Sequence, residues 1–188
     1  MEDDQTIDKA TVVNMSLITR LGVPGNYSVD GETDLGGTVD VVWPLAVAQC
    51  FSLHDWNFCR RTTKLTRHAT APDNGWQYGF DLPGNKVGDP LKVLRQAGNN
   101  EDPLRDFTIE GFSLFANEPE VWARCKVNVD PQYWDDGFMV GFVIVLGAYL
   151  AVPVLQNEKM RDDSLAEAFG TPSQGGGGGY FGRLLAQN

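Results

Sequence analysis

The chain has 188 residues, enough for one domain with a hydrophobic core. Its formal net charge of −10 argues against nonspecific attraction of nucleic-acid phosphate to most of its surface. The three cysteines form no CxxC pair, and Met1 leads into acidic residues rather than a basic and apolar stretch. These features predict reduced thiols in a cytoplasmic product without a secretory signal.

Two helices are predicted in the N-terminal third. Apolar residues recur at helical spacing over residues 7–21, and Gly22 with the Pro and Gly that follow predicts the end of this helix. Residues 22–37, rich in Gly, Asp and Asn, are predicted to form a loop. A second helix is predicted over about 38–54, although Pro44 lies inside it and favours a late start or a bend.

The middle of the chain has a different pattern. Over residues 58–127, short runs of strand-forming residues alternate with clusters of Gly, Pro, Asn and Asp. Trp76, Tyr78 and Phe80 alternate along one of these runs, which places three aromatic side chains on one face of a strand. The pattern predicts a small antiparallel sheet or a set of hairpins.

An uncharged run, FMVGFVIVLGAYLAVPVL at 138–155, has two interpretations: a membrane span or a helix buried on all sides. The buried helix is favoured because Asp135 and Asp136 precede the run and no Lys or Arg cluster flanks it. Pro153 is expected to end this helix and begin the next. Helices are therefore predicted over about 135–151 and 153–169, giving residues 1–170 an α+β fold: mainly a helical bundle with an inserted small antiparallel β region.

Residues 171–188 are predicted to form an extended, flexible tail. Five consecutive glycines precede an apolar tip, and glycine this dense holds no fixed structure alone. The tip is either a short amphipathic helix that orders on docking or a disordered terminus of no consequence. Its candidate docking residues are Tyr180, Phe181, Arg183, Leu184 and Leu185.

Charge is uneven along the sequence. Residues 1–40 contain eight acidic and two basic residues, whereas 59–68 contain basic residues and no acid. Each run is either a solvated face or one of two complementary patches between identical subunits. The candidate subunit or ring interface consists of Arg60, Arg61, Lys64 and Arg67.

Motifs for catalysis are missing from the sequence. The glycine run lacks the Lys-Ser/Thr that follows a phosphate-binding loop, and no HExxH, GxSxG or EF-hand loop occurs. The two histidines and the acidic pairs form no recognisable ligand or catalytic set. We therefore predict no catalytic residue, no metal site and no cofactor, and expect that the protein is not an enzyme.

Six local sequences nevertheless occur in an order that resembles a known family, although each is weak by itself. They are VVNMSLITRLG at 12–22, HDWNFCRRTTKL at 54–65, WQYGFDLPGN at 76–85, KVLR at 92–95, EPEVWARCKVNVDPQYWDDGF at 118–138, and LAVP at 150–153. In this order, over about residues 7–170, they resemble the head-to-tail adaptor, or tail tubular protein A, family of tailed phages and gene transfer agents. The glycine-rich tail is not a general feature of that family.

The resemblance implies a structural protein of the virion neck or tail, made in the host cytoplasm. Such adaptors form rings, commonly of twelve subunits, between the portal protein and a downstream tail or neck protein. Double-stranded DNA passes through the lumen during genome ejection without specific binding, and no membrane is involved. The tail tip would then dock on the portal. Alternatives are a small soluble enzyme of unknown reaction and a membrane-inserting pore protein, the latter resting on residues 138–155 alone.

Overall fold

The structure, a computed structural model, describes residues 6–31, 33–98, 102–171, 173 and 178–187. It divides into a helical unit, residues 1–54 and 129–188, and a sheet unit, residues 55–128. The helical unit contains the helices and the sheet unit two small antiparallel sheets. The predicted α+β class is therefore confirmed.

The first helix of the helical unit widens near its end. The Asp8 side chain accepts a hydrogen bond from the Thr11 amide and caps the N-terminus, and the helix ends at Gly22, whose φ of 68° favours glycine. The elements of this unit are α1 (Lys9–Ser16) with a π-helical extension (Leu17–Leu21), α2 (Asp34–Ser52), a 3₁₀ turn (Pro131–Tyr133), α3 (Asp136–Leu155), α4 (Glu158–Phe169) and α5 (Gly179–Leu185).

Helix α2 begins four residues before the predicted start. Thr33 caps the helix, and its hydroxyl accepts a hydrogen bond from the Gly36 amide at 3.0 Å. The last four residues of the predicted loop, 34–37, therefore form the first turn of α2. Pro44 lies within the helix and is exposed to solvent. Its ring is therefore accommodated without ending α2.

Helix α3 forms the core of the helical unit and packs against α1, α2, α4 and α5. Most of its side chains are buried, and Phe138 and Phe142 join an aromatic cluster with Trp43, Phe51 and Trp134. By length and hydropathy alone α3 could cross a membrane, but 67% of its apolar window is buried by the rest of the chain. The core helix of a soluble protein passes the same test.

The boundary between α3 and α4 differs from the prediction. Pro153 lies inside the last turn of α3, and the helix ends at Gln156, which adopts a left-handed conformation with φ of 52°. Asn157 then caps α4, its side-chain oxygen accepting from the Met160 amide at 2.9 Å. The Gln156–Asn157 turn, rather than Val152–Pro153, therefore separates the two helices.

The sheet unit contains two sheets with different strand orders. After a 3₁₀ turn (Asn57–Cys59), its strands are β1 (Arg60–Lys64), β2 (Thr66–Arg67), β3 (Tyr78–Asp81), β4 (Lys92–Leu94), β5 (Phe107–Glu110), β6 (Ser113–Ala116) and β7 (Trp122–Lys126). One sheet has the order β1–β7–β4 and the other β2–β3–β6–β5, with all pairs antiparallel. Buried Leu65 separates β1 from β2.

Candidate interaction surfaces

The described residues offer little for catalysis. They contain no group of three or more His, Cys, Asp or Glu side chains placed to hold a metal ion. Cys50, Cys59 and Cys125 are free and buried, and burial raises the pKa of each thiol. A buried thiol with a raised pKa is a poor nucleophile, so none of the three suits covalent catalysis.

One His–carboxylate pair occurs in the sheet unit. The imidazole Nε2 of His68 lies 3.0 Å from Asp81 Oδ1, on neighbouring strand ends, and the carboxylate is largely exposed. Gly79 permits this arrangement, because a Cβ there would lie 2.5 Å from His68 Nδ1. The pair ties two strands together at the surface, and sequence reasoning had not joined these residues.

The best-formed cavity lies in the helical unit and is small, with a volume of about 270 Å³. Its lining is mostly apolar, with Leu17, Pro24, Leu35 and Val154 contributing. Asp34 is the one titratable residue in that lining. A catalytic pocket needs several converging titratable groups, so this cavity does not suggest an active site.

The four residues of the predicted basic interface lie on two strands that belong to different sheets. Arg60 and Lys64 lie on one face of β1, whereas Arg61 alternates to the opposite face. Arg67 belongs to β2 in the other sheet, where its guanidinium lies 5.2 Å from the ring centre of Tyr78. Strand alternation therefore separates Arg61 from Arg60 and Lys64, whereas Lys64 and Arg67 line one surface pocket. The interface role of these residues stays a prediction.

Strand pairing instead assembles a larger cationic surface. Arg60 pairs with Lys126, Thr62 with Arg124 and Lys64 with Trp122, and β7 also pairs Arg124 with Lys92. Directly paired residues point to the same side of an antiparallel sheet. We call this surface the cationic sheet face; its basic residues are Arg60, Lys64, Lys92, Arg124 and Lys126.

Local contacts hold several of these side chains in place. Arg60 forms an ion pair with Asp55 at 2.7 Å, and Lys64 forms one with Glu120. The guanidinium of Arg124 donates from Nε to the Thr62 hydroxyl at 3.1 Å. Arg60, Lys64 and Lys92 are exposed, while Arg124 and Lys126 are half-buried. The face is therefore accessible and partly preorganised.

Two register pairs place like charges directly opposite each other. Arg60 opposes Lys126, and Lys92 opposes Arg124. Opposed like charges destabilise an antiparallel pair, whereas opposite charges stabilise it by up to about 1 kcal/mol. We therefore expect Lys92→Glu, which places a carboxylate opposite Arg124, to raise the free energy of unfolding by up to about 1 kcal/mol in chemical denaturation. Arg105→Glu, an exposed reversal outside these strands, should change it by less than about 0.5 kcal/mol. A less stable Lys92→Glu protein would contradict this account.

The predicted docking tip folds against its own chain. Gly179–Leu185 form α5, whose Phe181 is 2% exposed. The Phe181 ring stacks on Phe169 at 5.8 Å between centroids and lies 6.1 Å from Phe138. A Cβ added at Gly141 would lie 2.6 Å from Phe181 Cζ, so this glycine opens the groove.

This arrangement differs from the predicted mobile tip, because α3 and α4 supply the apolar groove that a short segment lacks alone. Tyr180 and Leu184 border the same groove, Leu185 is half-buried, and Arg183 is exposed. The structure does not describe residues 174–177, which include most of the pentaglycine. The prediction that this run is flexible concerns those residues and stays a prediction.

A second accessible surface lies on α2. Asp34, Asp40, Val41 and Leu45 are exposed on this helix, and Val41 and Leu45 are 65% and 56% exposed. Asp40 forms an ion pair with Lys9 at 2.9 Å while its side chain stays 71% exposed. We call these four residues the α2 outer face. Asp34, Val41 and Leu45 lie close to one line along the helix, whereas Asp40 lies at the edge of the exposed side, about 100° round the axis from Val41 and beside Lys9. The sequence pattern had not identified this surface.

Charge is segregated between the two units. The helical unit contains fifteen acidic and five basic residues, and the sheet unit contains ten of each. The whole net charge of −10 therefore belongs to the helical unit, while half of the sheet unit's cations lie on the cationic sheet face.

Compared with known proteins, the sequence matches no family model and no curated protein.

Proposed function

We propose that this chain is a structural head-to-tail connector of a tailed phage virion. Copies form a ring, expected to have twelve subunits, between the portal protein and a downstream tail or neck protein. The observation that carries the proposal is the segregation of charge between the units. A ring needs two different, complementary surfaces on each subunit, and the chain presents an acidic helical unit and a cationic sheet face.

The order of local sequences over residues 7–170 provides separate support, because it resembles the adaptor family. The described residues also lack a metal-binding cluster, and the best-formed cavity lacks converging titratable groups. A structural role requires neither. These features favour a connector over a small enzyme.

The charge also suits a channel for DNA. A lumen that passes double-stranded DNA should hold it weakly, and an acidic lining denies phosphates the cations that would bind them. The excess acid of the helical unit could provide such a lining. DNA then passes as cargo without sequence-specific contact.

The tail has a proposed role at the portal. Tyr180, Leu184 and Leu185 are half-buried beside exposed Arg183, so α5 presents a mixed apolar and basic surface while Phe181 anchors it. Docking on the portal can use this outer surface without removing Phe181 from its groove. The portal contact is therefore proposed for the outside of a folded α5.

Co-expression with the portal protein of the same phage tests the function. The full chain should co-purify with portal rings, and negative-stain images should show an additional axial ring that images of portal alone lack. Sedimentation with and without detergent tests the membrane alternative on the same preparation. Failure to bind portal rings, or sedimentation that depends on detergent, would contradict the proposed function.

A further inference from the structure

The cationic sheet face has a charge arrangement that folding of the sheet unit does not favour. Arg60 lies directly opposite Lys126, and Lys92 lies directly opposite Arg124. Opposite charges at these positions would make the sheet more stable. The strands RRTTK, KVL and WARCK contain no acidic residue, and Asp55, which pairs with Arg60, lies outside them. An anionic partner seated on the face would offset the repulsion between these cations.

Nucleic acid is the less suitable anionic partner. The chain as a whole carries a net charge of −10, which repels phosphates at long range. Trp122, the aromatic residue of the face, is half-buried and has Lys64 Nζ 5.2 Å from its ring centre, so its ring is not open for base stacking.

A second copy of this chain is better matched. Its helical unit carries the full charge excess of −10 and is present at the same concentration as the sheet unit. The α2 outer face offers Asp34 to basic groups, together with Asp40, which stays exposed beside its Lys9 partner, and it offers Val41 and Leu45 to apolar groups. Lys and Arg side chains suit such a surface, because their aliphatic stems cover apolar atoms while their charged ends reach carboxylates.

We propose that the cationic sheet face of one copy binds the α2 outer face of a second copy. The two surfaces differ, so each contact is head to tail and leaves one free surface of each kind at the ends of an assembly. Repetition of the contact can close a ring. This inference deepens the proposed function and rests on it for ring closure, while the contact itself is tested independently.

A charge-swap experiment tests the contact. One variant carries Arg124→Glu with Lys126→Glu, and the other carries Asp34→Lys with Asp40→Lys. Each alone should associate about tenfold or more weakly than the unmodified chain in sedimentation velocity, and about 0.5 M salt should weaken the unmodified chain similarly. Mixing the two variants should restore association, because each reversed surface then meets a complementary one.

Matched double reversals outside the proposed contact serve as controls. Arg61→Glu with Arg105→Glu changes the sheet unit away from the cationic sheet face, because Arg61 lies on the opposite side of β1. Glu158→Lys with Asp163→Lys changes α4, where Glu158 occupies a first helical turn as Asp34 does. Neither control should alter association by more than about twofold. Controls as damaging as the test variants, or single variants that associate normally, would overturn the proposal.

Zero-length carbodiimide cross-linking of the unmodified chain provides a test that requires no variant to fold. In a mixture of ordinary and ¹⁵N-labelled protein, links between Lys92 or Lys126 of one copy and Asp34 or Asp40 of another should carry mixed isotopes. Links confined to single copies would overturn the inference. The inference would also be overturned if a 30-base-pair DNA duplex bound the unmodified chain and this binding were lost in the variant with Arg124→Glu and Lys126→Glu.

The results separate this inference from the proposed function. Copies that pair through these faces but never join portal rings would support the contact and contradict the connector role. Portal-bound rings that persist in both single charge-reversed variants would support the connector role and overturn the contact.

Discussion

Replacing Val145 by aspartate is expected to unfold the helical unit or reduce its stability severely. Val145 is 0% exposed in the middle of α3, the helix against which α1, α2, α4 and α5 pack. An aspartate there would bury a carboxylate among apolar side chains, at a cost on the order of 3 kcal/mol or more after partial relaxation. Thermal and urea unfolding followed by circular dichroism should show this loss.

Val140→Asp is the matched control on the same helix. Val140 is 49% exposed, so its carboxylate would remain in contact with water and the free energy of unfolding should change by less than about 1 kcal/mol. Equal melting temperatures for the Val145→Asp and unmodified proteins would show that position 145 is not in the core. The same result would also weaken the choice of a buried helix over a membrane span.

Phe181→Ala is expected to release α5 from the helical unit. The Phe181 side chain is 2% exposed between Phe138 and Phe169, and truncating a buried phenylalanine to alanine costs about 3–5 kcal/mol when the site stays open. Because α5 is short and joined through glycines, it can detach as a unit, which places the loss near the lower end of that range. Hydrogen exchange of residues 179–185 should become fast.

Arg183→Ala is the control within α5. The Arg183 side chain is exposed, so its removal should have little effect on the hydrogen exchange of residues 179–185. Gly141→Leu provides a complementary test from the groove side, since a Cβ at this position already approaches the Phe181 ring closely. The Gly141→Leu substitution should release α5 although residue 181 is still phenylalanine. Retained protection of α5 in both the Phe181→Ala and Gly141→Leu proteins would contradict the packing described for the tail.

Truncation after Gly170 would test the proposed portal contact of the tail, and the two stability tests show how its result should be interpreted. Removal of α5 takes away the partner of Phe138 and Phe169 and opens an apolar groove on α3. Loss of portal binding by the truncated chain would therefore combine a lost contact with a less stable helical unit. Arg183→Ala removes an outward side chain without opening the groove, so it separates the two effects.

The sequence by itself determined the features that depend on local pattern. The uncharged run at 138–155 required a fully apolar helix, Gly22 ended the first helix, and turn residues divided the middle of the chain into short strands. These predictions succeeded because helix termination, turn conformation and hydrophobic periodicity depend on residues close together in the chain. The α+β class followed from the order of those patterns.

Only the tertiary structure decided which distant residues share a surface. Arg60 and Arg61 are adjacent in sequence but point to opposite faces of β1, whereas Lys92, Arg124 and Lys126 join Arg60 through the pairing of β4 and β7. Likewise, α5 is ordered by a groove that Gly141 and Phe169 help to form on other helices. Strand register and helix packing depend on residues far apart in the chain. Local composition alone could therefore identify neither the cationic sheet face nor the groove that holds α5.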